Sequence, residues 1–306
     1  MTWQARDLGP QTGRTFVVTG ANSGIGFEAA RGLVERGGHV VLAVRDTAKG
    51  EEAAARLAGP GPTSVVELDL ADLDQVASSI RTLLATGEAF SALICNAGVM
   101  GGPHRLSAQG LEYQMATNHL GHAALIAGLW PRLHDRRARV VLVSSTEARD
   151  GQLSSRTTLE QLTAPEPYDG RQVYRNTKQA NLLFARELDR RCRQAGSPVA
   201  ALAVHPGASA TNLFARQLVL AGHSRLASLS KLATAVILQS AEAGALSVLR
   251  ALDDRSPSGA FIGPAAVGQS RGRPKLLDVY PSGSDPATAA RLWDLTETIL
   301  GRPLPI

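Results

Sequence analysis

The amino-acid sequence predicts an α/β fold, a doubly wound parallel sheet of about seven strands with helices on both faces. Three observations predict it. Short β-branched runs alternate with helix-period segments along most of the 306 residues. The first run enters a glycine-rich turn that opens directly into a helix. The polar residues best suited to chemistry follow predicted strand ends, and in an open parallel sheet those ends share one side.

Residues 14–20 read as the first strand, and the turn Thr19-Gly20-Ala21-Asn22-Ser23-Gly24-Ile25-Gly26 leads into a helix over Phe27 to Arg36. Gly37-Gly38 stops that helix. The second strand, His39 to Val44, runs into Arg45, and a helix at about 47–58 follows. Ser64 to Leu68 is the third strand, ending in Asp69-Leu70, with a helix at about 72–86 after it. Ser91 to Cys95 forms the fourth, followed by Asn96-Ala97-Gly98. The pattern 111–134 predicts one long helix carrying Asn118, and the strand Arg139 to Val143 ends in Ser144-Ser145. After a loop-like stretch, 146–170, a long amphipathic helix begins around Tyr174. A strand from Pro198 to Val204 then ends in His205-Pro206-Gly207. Beyond an irregular segment lie a helix at about 239–252, a short strand near Ala260 to Ile262 and a last helix over 286–300. No linker splits the chain, so 1–306 is expected to be one domain. It comprises a core over 13–207, a covering segment over 208–240 and a C-terminal part over 241–306.

A strand, a glycine turn and a helix in that order suit a dinucleotide. Glycine lets backbone approach the pyrophosphate, and the helix N-terminus offers unsatisfied N–H groups. The spacing is G-x-x-x-G-x-G rather than G-x-G-x-x-G. Where an acidic residue would bind a ribose 2′-hydroxyl stands Arg45, which suits a 2′-phosphate and so NADP(H) over NAD(H). Tyr174 and Lys178, four apart, project from one helix face. A phenol with a pKa near 10 is a poor base at neutral pH, and a nearby cation favours its ionised form. Such a tyrosine can exchange a proton with an alcohol or carbonyl while hydride moves at carbon.

Composition fits a globular protein, with 44% hydrophobic and 19% charged residues. The net charge of +5 is spread along the chain and aromatics are only 4%, which argues against nucleic-acid binding. The densest charged run, Arg186 to Arg193, is expected to be a solvated helix face. Two cysteines, Cys95 and Cys192, make no disulfide framework and suit a reducing cytoplasm. No apolar run reaches the roughly 18 residues that span a bilayer.

Together, Thr19-Gly20-Ala21-Asn22-Ser23-Gly24-Ile25-Gly26, Asn96-Ala97-Gly98, Asn118, Ser145, Tyr174-x-x-x-Lys178 and Pro206-Gly207-x-x-x-Thr211 resemble the short-chain dehydrogenase/reductase family, in order and spacing, over about residues 13–212. The T-G-x-x-x-G-I-G spacing resembles its single-domain branch. Lys178 to Phe184, Val204-His205-Pro206-Gly207 and the long gap between Ser145 and Tyr174 resemble the retinol dehydrogenase-like subgroup. The segment from Ile262 to Trp293 is similar to its bacterial members.

The resemblance implies a Rossmann-type sheet and an enzyme acting on CH–OH/C=O. It makes Tyr174 the acid/base, with Lys178 lowering its pKa and bonding the nicotinamide ribose. Ser145, rather than its neighbour Ser144, would bond the substrate oxygen, and Asn118 would hold a water linking Lys178 to solvent. Gly20, Asn22, Ser23, Gly24, Ile25 and Gly26 would line the pyrophosphate, with Arg45 at the 2′-phosphate and Asp69-Leu70 by the adenine. Asn96, Ala97 and Gly98 would lie along the ribose, and Pro206, Gly207 and Thr211 by the nicotinamide amide. A lipophilic small-molecule alcohol or carbonyl is the implied substrate, and monomer or homo-oligomer stays open. The alternatives are a C=C reductase resembling protochlorophyllide reductase and a non-enzymatic NADP-binding regulator. His119, His122 and His205 are expected to be packed rather than metal ligands, and no metal is expected. Tyr113 and Tyr168 read as structural, and Cys192 has no catalytic role.

Overall fold

A computed structural model describes residues 3–207, 239–266 and 268–306. The expected covering segment and Thr211 lie outside them, apart from Gln239 and Ser240 at the segment's end. Among the described residues the strands are β1 (Thr15–Thr19), β2 (His39–Val44), β3 (Thr63–Glu67), β4 (Ala92–Cys95), β5 (Arg139–Val143), β6 (Ala200–Val204), β7 (Phe261–Ala266) and β8 (Arg271–Leu277). They form one sheet in the order β3-β2-β1-β4-β5-β6-β7-β8. All neighbours pair in parallel except β7 and β8.

Successive strand residues point to opposite faces, so each buried strand feeds two cores. Val17, Val41, Leu93, Val140 and Ala201 face one side. Phe16, Val40, Ala92, Val141 and Leu202 face the other. The first core is closed by α3 (Leu73–Ala85), α5 (Gly121–His134), α7 (Gly170–Gln194) and the last helix, α9 (Pro286–Leu300). The second is closed chiefly by α1 (Gly24–Val34) and α8 (Ala241–Ala251), with Ala53 of α2 (Thr47–Arg56) contributing. α1 and α8 meet where Gly32 lies against Leu249; a Cβ there would come within 2.8 Å of the leucine side chain.

Four details depart from the sequence expectations. The sheet gains an eighth strand, β8, whose Arg-Gly-Arg-Pro-Lys run lacks the alternation of a buried strand because it is a charged, proline-bearing edge. The helix predicted over 111–134 is broken into α4 (Tyr113–Met115), a π turn (Ala116–Leu120) and α5. The loop-like 146–170 stretch contains a 3-10 turn, Thr146–Asp150, and a short helix, α6 (Leu159–Thr163). The Arg186–Arg193 run is not wholly solvated: Glu187 and Asp189 are buried. Glu187 is paired with Arg190 and Arg191, and Asp189 with Arg193 and Ser258.

Candidate active site

Strand order reverses between β1 and β4, so the chain leaves their carboxyl ends in opposite directions and opens a crevice there. Thr19, the last residue of β1, ties its two walls together. Its Oγ1 accepts from the backbone N–H groups of Asn96 and Ala97, both at 2.9 Å. The Asn96 amide returns a bond to the Thr19 carbonyl at 2.8 Å, so that side chain is spent on the frame. Gly20 and Gly24 hold φ values of +66° and +58°, where L side chains are strained. At Gly26 a Cβ would lie 2.5 Å from Asn96 Nδ2 and 2.6 Å from the Gly20 carbonyl oxygen. Ser23 starts α1 without a side-chain cap, so its hydroxyl satisfies none of the first-turn N–H groups. A close-packed glycine cradle ending in an uncapped helix is what a pyrophosphate needs.

The catalytic candidates converge on the same side. Lys178 is buried in α7, and its Nζ donates to the carbonyl of Val143, the last residue of β5, at 3.0 Å. Burial pulls its pKa down to about 8. Tyr174, one turn earlier and also buried, has its ring centroid 5.7 Å from that Nζ. Burial pushes the phenol up to about 12, and the Ser145 side chain acts in the opposite direction. Desolvation is the largest influence on the phenol, and the Lys178 ammonium beside its ring bonds the Val143 carbonyl.

The two serines separate cleanly. Ser144 is buried and donates to the Lys178 carbonyl at 2.7 Å, fixing α7 against the end of β5. Ser145 is only half-buried and accepts from the Glu147 N–H at 3.2 Å, which leaves its proton free to point elsewhere. Behind Tyr174, Glu147 is pulled below the ordinary carboxylate range; burial opposes this, but Arg171 and Arg175 outweigh it.

Asn118 sits in the π turn, fully buried. Its Oδ1 accepts from the Val99 N–H at 2.7 Å, and its Nδ2 donates to the Val99 carbonyl at 2.8 Å and to Thr177 Oγ1 at 3.0 Å. Its own carbonyl accepts from His122 Nδ1 at 3.0 Å and from Asn181 Nδ2 at 3.1 Å. Asn181 also donates to the Val143 carbonyl at 3.2 Å, the oxygen that Lys178 uses. Asn181 was not singled out as a site residue, although its place one turn beyond Lys178 on the same helix face was the available signal.

His119 and His122 are buried, and burial lowers them to about 4 and about 3. His119 bonds Asn181 and Thr296; His122 bonds Thr19 and the Asn118 carbonyl. His205 is buried too, lowered to about 4 chiefly by burial, and its Nδ1 accepts from the Gly207 N–H. Among the described residues no group of three potential metal ligands converges. Cys192 is pushed up to about 11 by burial, which suits a packed thiol. Tyr168 is likewise raised to about 12, chiefly by burial, and bonds Glu112 and Gln114.

On the cofactor side, Leu70 is buried, with Gly121 packed against it. Asp69 is half-buried and accepts from the Ala71 N–H. Gly98 lies beside Asn118 Oδ1 and Lys178 Nζ, where a Cβ would come within 3.2 Å of the former and 3.4 Å of the latter. Arg45 is exposed at the end of β2 and donates to the Tyr113 hydroxyl at 3.0 Å. Gly207 follows β6 with φ +72°, and Gln239 donates to the Pro206 carbonyl.

Residues 14–156 match the family model for short chain dehydrogenases. Retinol dehydrogenase 14 of Mus musculus is 32% identical over 316 aligned residues, which cover 96% of this chain and 88% of that protein. The chain belongs to the short-chain dehydrogenase/reductase family. Within that family of oxidoreductases it falls in the retinol dehydrogenase-like group. Retinol dehydrogenase 12 of Homo sapiens is 34% identical, with 94% of this chain and 87% of that protein covered. The crystal structure of an uncharacterized protein from Mycobacterium paratuberculosis superposes with a TM-score of 0.80 at 38% identity, with both chains fully covered. No described helix of this short-chain dehydrogenase/reductase is long and apolar enough to cross a membrane.

Proposed function

We propose that this chain is an NADP(H)-dependent oxidoreductase that interconverts an alcohol and a ketone or aldehyde. The observation that carries the reading is the Tyr174 phenol beside the Ser145 side chain, with Lys178 buried one helical turn away in the same crevice as the glycine cradle. The nicotinamide cofactor, when bound, supplies or accepts the hydride. The residues from Gly20 to Gly26 would hold its pyrophosphate, and Asp69, Leu70 and Asn96 to Gly98 its adenosine side. Lys178, Pro206, Gly207 and Thr211 would hold the nicotinamide side. Arg45 would read a 2′-phosphate.

With its pKa raised, Tyr174 is protonated at neutral pH, so it can deliver a proton to a substrate carbonyl oxygen. Ser145 donates a hydrogen bond to that oxygen as negative charge develops on it. Lys178 is mostly cationic at pH 7 and favours the phenolate that remains. Asn118 would hold the water that links Lys178 to solvent, while its side chain clamps the Val99 loop to α7.

The relatives named for retinol suggest a lipophilic alcohol or carbonyl as the substrate class. We place the covering role on 208–240, and a cytoplasmic location rests on the free cysteines alone. Titration with NADPH and then NADH, followed by nicotinamide fluorescence, tests the cofactor. A screen of lipophilic aldehydes and ketones with the tighter-binding cofactor tests the reaction. Binding of neither cofactor would overturn the enzyme reading.

A further inference from the structure

We propose that Arg105 and Tyr113 join Arg45 in a clamp for the 2′-phosphate of the cofactor, so that three side chains set the preference for NADP(H). The proposal rests on the cofactor reading above and adds two residues to it. Arg45 reaches from the end of β2 to the Tyr113 hydroxyl, and the Arg105 guanidinium lies over the same ring, 4.3 Å from its centroid. The loop carrying Arg105 is pinned beside Tyr113. The Tyr113 N–H donates to the Arg105 carbonyl at 3.0 Å, and Ser107 N–H to the Leu111 carbonyl at 2.7 Å.

Two guanidinium groups thus meet on one phenol, and among the described residues neither has a carboxylate within ion-pair distance. The nearby acids are spent elsewhere. Asp46 caps α2 and pairs with Lys49. Glu112 is buried and bonds the Met115 N–H and Tyr168. Other arginines of the chain do have partners, Arg31, Arg171, Arg175 and Arg190 among them. Adjacent like charges repel, and an anion between them reverses the sign of the interaction. The Tyr113 hydroxyl accepts from Arg45, and its own hydrogen has no acceptor among the described residues. Two forked cations and a hydroxyl donor suit a phosphate monoester, whose oxygens accept bidentate bonds from arginine. The cluster stands at the carboxyl end of β2, the neighbour of β1 and its glycine turn, where the far end of a bound dinucleotide would lie.

The test is equilibrium titration of the full chain and its Arg105→Gln, Arg105→Lys, Tyr113→Phe and Arg45→Gln variants with NADPH and with NADH. Arg105→Gln is expected to weaken NADPH binding about tenfold or more while leaving NADH within about twofold, the loss of one charge-assisted contact. Arg105→Lys should recover part of the loss, and Tyr113→Phe should weaken NADPH about fivefold. If Arg45→Gln removes the preference but Arg105→Gln and Tyr113→Phe leave it intact, the clamp is wrong and the cofactor reading stands. Equal weakening of both cofactors by Arg105→Gln would assign Arg105 to loop structure and overturn the clamp. A wild-type chain that binds NADH as tightly as NADPH would overturn the cofactor preference, and the clamp with it.

Discussion

Lys178 carries a stability cost that pH should reveal. The side chain is 4% exposed, and burial lowers its pKa to about 8. From an ordinary value near 10.4, that drop is worth about 3 kcal/mol of disfavour for the folded, protonated state. Between about pH 8 and pH 10.5 the unfolded chain binds this proton and the folded chain releases it, so this group makes stability rise with pH. Lys178→Met keeps the length of the side chain and removes the charge. It also removes the bond to the Val143 carbonyl, at a cost of about 1 kcal/mol. The variant should therefore be about 2 kcal/mol more stable than wild type at pH 7, with the advantage gone by about pH 10. Its turnover should be lost. Urea unfolding of both cofactor-free proteins at pH 7, 8, 9 and 10 measures the difference. A stability gap that does not change across that range would refute the depressed lysine. A gap that widens in favour of the variant as pH rises would refute its sign.

Four further outcomes follow from the same geometry. Tyr174→Phe should lower turnover by about 10²–10⁴ while NADPH binding stays within about twofold; residual activity above a tenth of wild type would mean that another group moves the proton. Ser145→Ala should cost about 10²–10³ in kcat, the loss of one oxyanion donor. Ser144→Ala should instead act mainly on the unfolding midpoint, since its hydroxyl is bonded to the Lys178 carbonyl; steady-state kinetics beside thermal melts separates the two. Gly26→Ala should abolish cofactor binding and cost about 1–3 kcal/mol, because its Cβ meets Asn96 and the Gly20 carbonyl; calorimetric titration with NADPH on a folded sample checks it.

By itself the sequence determined the alternation of strands and helices, the glycine turn and the order of the motifs. Each is local: β-branched runs, helical periodicity and glycine at strained φ are properties of neighbouring residues. The adjacency of Tyr174 and Lys178 is equally local, since one helical turn brings positions four apart together. The eighth strand was not legible, because an edge strand hides behind charge and proline and shows itself only by pairing with β7. The π turn at Asn118 was also hidden; it exists beside Val99, Thr177 and Asn181, which come from β4's exit and from α7. The choice between Ser144 and Ser145 became physical only when α7 packed on β5 and consumed one hydroxyl. The ionisation of the site was decided by tertiary structure as well. A tyrosine and a lysine on an isolated helix would each stay near their ordinary pKa values. Burying both on α7 beside the carboxyl end of β5 raises the phenol and lowers the ammonium, because desolvation penalises whichever form carries charge.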